Sequence, residues 1–155
     1  MQPTAVPRIF RFLVGARDLV TSQRFYERLL GVAGKEVAEG RVYFDCGSAI
    51  LGVLDVSKRP PTEWQGTTEA IYFATADLED VFRRARELDC LAPGLLHEDP
   101  ASPLGQIVVR PWGERSFYAE DPSGNSLCFV DETTLFTGTR AQIAALSRRS
   151  KSPST

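Results

Sequence analysis

RFLVGARDL, residues 11–19, and AIYFATADL, residues 70–78, are two copies of one pattern. Each is an apolar, strand-like run that closes on an Asp-Leu pair, and each pair opens a helical spacing. After Asp18, Leu19, Ser22, Phe25, Tyr26, Leu29 and Leu30 fall at i, i+3, i+4 intervals. After Asp77, Leu78, Val81, Phe82, Ala85 and Leu88 do the same. A carboxylate just before such a run accepts the free N–H groups of the first turn, so Asp18 and Asp77 are expected N-caps. Gly31 is placed to end the first helix in a left-handed conformation. An internal repeat of this kind fixes the architecture more firmly than either copy alone.

Working outward, further strands are expected after each helix. In the first half these are residues 41–46 and 49–56, joined by a tight turn at Gly47-Ser48. In the second half a weak stretch near Leu95 precedes residues 107–110, then the clearer runs 115–120 and 126–130. Between the last two lies DPSGN, residues 121–125, in which proline presets φ while glycine and asparagine tolerate positive φ. The order reads β-α-β-β-β, written twice. This predicts one α+β domain over 1–155, with module one at 8–56, a connector at 57–68, and module two at 69–131. A C-terminal helix and tail occupy 132–155, the helix over 140–146 and a fraying tail from Ser147.

Composition excludes several classes. A chain of 155 residues with 43% hydrophobic and 25% charged residues is neither disordered nor collagen-like. A net charge of −2 provides no field for nucleic acid. The longest strongly apolar run, near residues 49–54, is far below the ~20 residues that cross a bilayer. No signal-peptide pattern opens the chain, so a cytoplasmic location is expected. Cys46, Cys90 and Cys128 are odd in number and lack CxxC spacing, which favours free thiols.

The repeat, together with PWGERSFYAEDPSGN at 111–125, resembles the vicinal-oxygen-chelate superfamily of glyoxalases, bleomycin-resistance proteins and extradiol dioxygenases. The resemblance covers about residues 8–131. It implies paired β-α-β-β-β modules that form a curved, cup-like mixed sheet with helices on the outer face. Metal-dependent members carry His or Glu at the start of each module's first strand and Glu on its last strand. Those positions fall here on Arg11, Gly52, Ala70 and Cys128, and none is His, Asp or Glu. Glycine and alanine offer no ligand, arginine has no lone pair to give, and one thiolate does not hold a catalytic divalent ion. The single histidine, His97, lies in a loop-like stretch. No metal and no cofactor are therefore expected.

The departure points to the metal-free branch that resembles bleomycin-resistance proteins, which sequester a drug as homodimers without altering it. The implied function is metal-independent binding of a small aromatic or amphipathic molecule. An enzyme of the glyoxalase or dioxygenase type, a lyase, isomerase or oxygenase, is the alternative. No Ser/His/Asp, Cys/His or phosphate-loop pattern is present to support one. Strand alternation places Arg11, Leu13, Gly52, Tyr72, Tyr118 and Cys128 on the inner surface, and Trp112 at its wall. These seven are the expected ligand-binding residues. Arg11 needs an acceptor, either a carboxylate such as Glu114 or an acidic ligand group. Phe10, Phe12, Phe73 and Phe117 are expected in the core between sheet and helices.

Overall fold

The computed structural model describes residues 5–64, 66–67 and 69–150. Two compact units divide the chain: Met1–Thr68 with Asp121–Asn125, and Glu69–Glu120 with Ser126–Thr155.

The first unit carries β1 (Arg11–Ala16), α1 (Leu19–Leu30), β2 (Lys35–Ala38), β3 (Arg41–Asp45) and β4 (Ile50–Asp55). Its sheet has the order β1-β4-β3-β2, with β1 and β4 parallel and the other pairs antiparallel. Asp18 caps α1 as expected, accepting from Thr21 N at 3.1 Å, and Gly31 ends it at φ 71°. Ser22, Phe25, Tyr26 and Leu29 are buried along one helix face. On the sheet the buried set is Val14, Ala16, Val42, Phe44, Leu51 and Val53, the residues that alternation assigns to a single face.

The five residues 121–125 complete this unit. Asp121 Oδ2 accepts the Tyr26 hydroxyl at 2.6 Å and Asn125 Nδ2 at 2.7 Å. Its other oxygen accepts the backbone N–H groups of Ser123 and Asn125, at 2.8 and 2.9 Å. Asn125 Nδ2 also donates to the carbonyl of Gly15 at 2.8 Å, and Ser123 Oγ accepts from Arg17 N at 2.9 Å. Gly15 itself lies against the Trp64 indole, so close that a Cβ there would sit 2.5 Å from the ring.

The second unit repeats the plan. It contains β5 (Ile71–Thr75), α2 (Leu78–Glu87), β6 (Val108–Val109), β7 (Arg115–Glu120), β8 (Ser126–Asp131) and α3 (Arg140–Ser150). The sheet order is β5-β8-β7-β6, the same as in the first unit, with β5 and β8 parallel. Asp77 caps α2 by accepting from Asp80 N at 3.1 Å. Phe73, Phe129 and Phe117 stack in a row, with centroids 5.0 and 5.4 Å apart, and Phe82 of α2 meets Phe117 edge-on. This aromatic row is the contact between sheet and helix.

Several expectations need correction. Phe10 and Phe12 are not core residues: they are 54% and 47% exposed. The strand β1 is a sheet edge, and only its last three residues are buried. β2 went unseen in the sequence because KEVA is short, exposed throughout and charged. Charges and a bulge of this kind are how edge strands avoid further pairing. The strand expected at 107–110 shrinks to two residues. The carbonyls of Pro103, Leu104 and Gln106 accept from the Arg110 guanidinium, and of the three Leu104 O also accepts from Tyr118 N of β7 at 2.8 Å. The C-terminal helix continues past Leu146 to Ser150, and the remainder of the expected tail, 151–155, lies outside the described residues.

Candidate functional site

Equivalent registers in the two sheets bring equivalent residues together. In the first unit Leu13 and Tyr43 both flank Gly52. In the second, Tyr72 and Tyr118 both flank Cys128. The consequences differ with the side chains.

At Gly52 a Cβ would fall 2.5 Å from Leu13 Cδ2 and 3.0 Å from the Tyr43 ring. The glycine therefore lets two neighbours close over it. Next to this cluster, the Arg11 guanidinium lies over Phe10 and Tyr43, 5.0 and 5.5 Å from the ring centroids. Arg41 Nη1 donates to the Tyr43 hydroxyl at 3.2 Å. Arg11 forms no ion pair among the described residues. Glu114, the carboxylate expected to serve it, directs its oxygens to donors of the second unit: Trp112 Nε1 at 2.6 Å and Phe136 N at 2.9 Å.

In the second unit the face opposite α2 carries an open pocket of about 450 Å³. Tyr72, Phe73 and Ala74 of β5, Val130 of β8, Trp112, Glu114 and the segment Leu135, Phe136 and Thr137 line it. Three features hold its walls. The turn 110–114 is closed by Arg110 N to Glu114 O at 2.7 Å. Glu114 ties Trp112 to Phe136, and Gln142 of α3 clasps the same segment through Leu135 O, Thr137 N and Thr139 N. Beside the pocket, the Tyr72 and Tyr118 hydroxyls meet at 3.1 Å, with rings nearly perpendicular.

Of the seven expected ligand-binding residues, Tyr72 and Trp112 line this pocket. Tyr118 adjoins it through the Tyr72 hydroxyl. Cys128 does not reach it: the thiol is 1% exposed, in a cluster with Ala92, Tyr118 and Val130, against which Ala70, Leu96 and Leu104 pack. Burial pushes the Cys128 thiol up to about 11 and raises the Tyr118 phenol well above its usual range, so both stay protonated near neutral pH. Arg11, Leu13 and Gly52 belong to the first unit and lie outside this pocket. His97 is exposed, at φ 50° in a short helical turn.

Sequence reading places neither Glu114 nor Phe136 at this pocket and gives no sign that Arg110 is buried. Phe136 and its segment follow the last strand, where no periodicity singles them out. Arg110 is 1% exposed and holds the segment before it. It donates to Ser116 Oγ, Ser102 Oγ and the carbonyls of Pro103, Leu104, Gln106 and Ser116, at 2.9–3.3 Å. Its Cζ also lies 5.2 Å from the centre of the Tyr118 ring. Desolvation lowers its pKa, and no carboxylate pairs with it among the described residues. An arginine read as a letter carries no sign of such burial. Arg115, by contrast, bridges Glu79 and Asp131 at the surface.

The positions that hold a metal in the superfamily do not fit one here. Arg11 is a stacked guanidinium, Gly52 is covered by Leu13, Ala70 has no donor, and Cys128 is a sealed, protonated thiol. Among the described residues no three His, Cys, Asp or Glu side chains come together.

Two β-α-β-β-β units with identical strand orders, each with a helix on one face, define a class of paired-module α+β proteins. The chain belongs to the Glyoxalase/Bleomycin resistance protein/Dioxygenase superfamily, which it matches over residues 8–129. Solved structures agree in fold. A bleomycin-binding protein complexed with bleomycin is 17% identical, covers 81% of this chain and 98% of its own, and has a TM-score of 0.57. A bleomycin resistance determinant encoded on the transposon Tn5 is 17% identical with the same coverages and a TM-score of 0.58. A lactoylglutathione lyase from Agrobacterium tumefaciens is 21% identical over 84% of this chain and 96% of its own, with a TM-score of 0.54. No curated protein matches the sequence.

Proposed function

We propose that this protein binds a small aromatic or amphipathic molecule without a metal and without transforming it. The observation that carries this reading is the pocket at Trp112: aromatic and aliphatic walls with one carboxylate, and no nucleophile beside a base. Ligand sites usually combine an apolar lining with a few placed polar groups. The structural likeness to a bleomycin-binding protein is consistent with sequestration as the role. Tyr72 and Trp112 would contact the ligand directly, with Tyr118 behind them. The partner of this chain would be a second copy of itself. Exposed Val6, Ile9, Phe10, Phe12 and Leu13 along the edge strand β1 and the segment before it favour such pairing.

A thermal-shift screen of amphipathic compounds would find the ligand class, since a molecule that binds only the native state raises the melting point. Equilibrium binding followed by recovery of unchanged ligand supports the proposal. Conversion of that ligand by purified protein refutes it. A monomeric mass by light scattering at high micromolar concentration refutes the pairing.

A further inference from the structure

We propose that the pocket at Trp112 selects organic cations, a protonated or quaternary amine carried on a flat apolar body. The inference rests on the reading that this pocket binds a small molecule, and it names the charge that molecule carries.

Three aromatic side chains line the pocket, those of Tyr72, Trp112 and Phe136, while the Phe73 ring stacks on Phe129 toward the helix. Glu114 is the one charged side chain in its lining. That carboxylate is 8% exposed and has no basic partner among the described residues. The Trp112 indole N–H and the Phe136 backbone N–H both donate to it. Neutral donors hold a carboxylate in place but leave its net charge uncancelled. The faces of aromatic rings are also negative, by virtue of their quadrupole. Rings and carboxylate thus favour the same sign of guest, and a cation over such rings is favoured most where water is excluded.

The buried cation of this unit does not reverse the preference. Arg110 lies behind the Tyr118 ring, outside the pocket lining, and spends its N–H groups on six acceptors. It has no free donor to offer an anion. An anionic guest would meet Glu114 and the ring faces. A neutral guest would gain burial alone.

The test compares two probes of one shape, phenyltrimethylammonium and tert-butylbenzene, which differ in charge. The readout is the Trp112 indole N–H resonance, because that group bonds Glu114 directly. A Trp64→Phe variant removes the other indole and assigns the signal. We expect phenyltrimethylammonium to move the Trp112 signal and to bind at least about tenfold tighter than tert-butylbenzene, with affinity falling as salt rises. Glu114→Gln should reduce that preference. Its amide must face one of two N–H donors, so if this variant fails to fold, the comparison in the unaltered protein decides. Equal or tighter binding of tert-butylbenzene would overturn the charge selection and leave the small-molecule site standing. Silence of the Trp112 signal toward both probes would overturn the inference together with the reading beneath it.

Discussion

Replacing Arg110 by methionine removes a buried charge but keeps the length of the side chain, and two opposing effects then compete. Of the six acceptors around the guanidinium, Ser116 Oγ, Ser102 Oγ and Ser116 O are in fully buried bonds. The carbonyls of Pro103, Leu104 and Gln106 are in part-buried bonds, and Leu104 O keeps a second donor, Tyr118 N. A buried acceptor left without a donor costs about 1–3 kcal/mol, and the two hydroxyls can turn to recover part of that. Removing the desolvated charge returns some energy, because nothing anionic balances it. The net expectation is a loss of about 2–4 kcal/mol, against a total stability of about 5–15 kcal/mol for a domain. Arg110→Lys keeps the charge but offers three donors without the planar fork, so it should cost about 1–3 kcal/mol. Urea denaturation gives both values if the slope with denaturant stays constant. Arg110→Met within about 0.5 kcal/mol of the unaltered protein would refute the reasoning. Segment 102–106 would then be held by something other than this guanidinium.

Tyr26→Phe should lower stability by about 1.5–3 kcal/mol, the worth of a hydrogen bond to a charged group, in the same denaturation assay. Arg11→Ala should cost under about 1 kcal/mol, since its guanidinium is exposed and stacks on Phe10 and Tyr43 without a carboxylate. A larger loss would reveal a partner for it. The raised thiols of Cys90 and Cys128, both pushed up to about 11, bind protons more tightly in the native state than in the unfolded chain. Their contribution is complete below the ordinary thiol range and is lost as pH rises toward about 11. Stability measured from neutral to alkaline pH should therefore fall over that interval, and Cys128→Ala should flatten the fall. Treatment with a chelator should leave the melting temperature unchanged, and a decrease that zinc or manganese restores would contradict the fit of the four positions.

The repeat was readable because it rests on local physics. Asp18 and Asp77 cap helices, and the spacing of apolar residues after them selects one buried face. The strands β3, β4, β7 and β8 were readable as largely apolar runs bounded by turn residues. What remained hidden depends on contacts that sequence distance conceals. Phe10 and Phe12 look like core residues until the sheet order makes β1 an edge. DPSGN looks like a generic turn, whereas Asp121 bonds a tyrosine 95 positions earlier. In the candidate site, Tyr72 and Trp112 were identified by alternation and by their motif. Glu114 was named for another task, as a mate for Arg11. Only the fold shows that it serves Trp112 and Phe136.

The ownership of residues 121–125 has a consequence for biogenesis. A fragment ending at Thr68 contains α1 and all four strands of its sheet, yet lacks the piece that bonds Tyr26, the Gly15 carbonyl and the Arg17 N–H. On the ribosome, where early segments generally fold before later ones emerge, these bonds must wait. The bonds that Asp121, Ser123 and Asn125 supply form only after most of the companion unit has been synthesised. The chain therefore completes the bonding of its first unit late, and a chain that stops before Asp121 lacks those bonds.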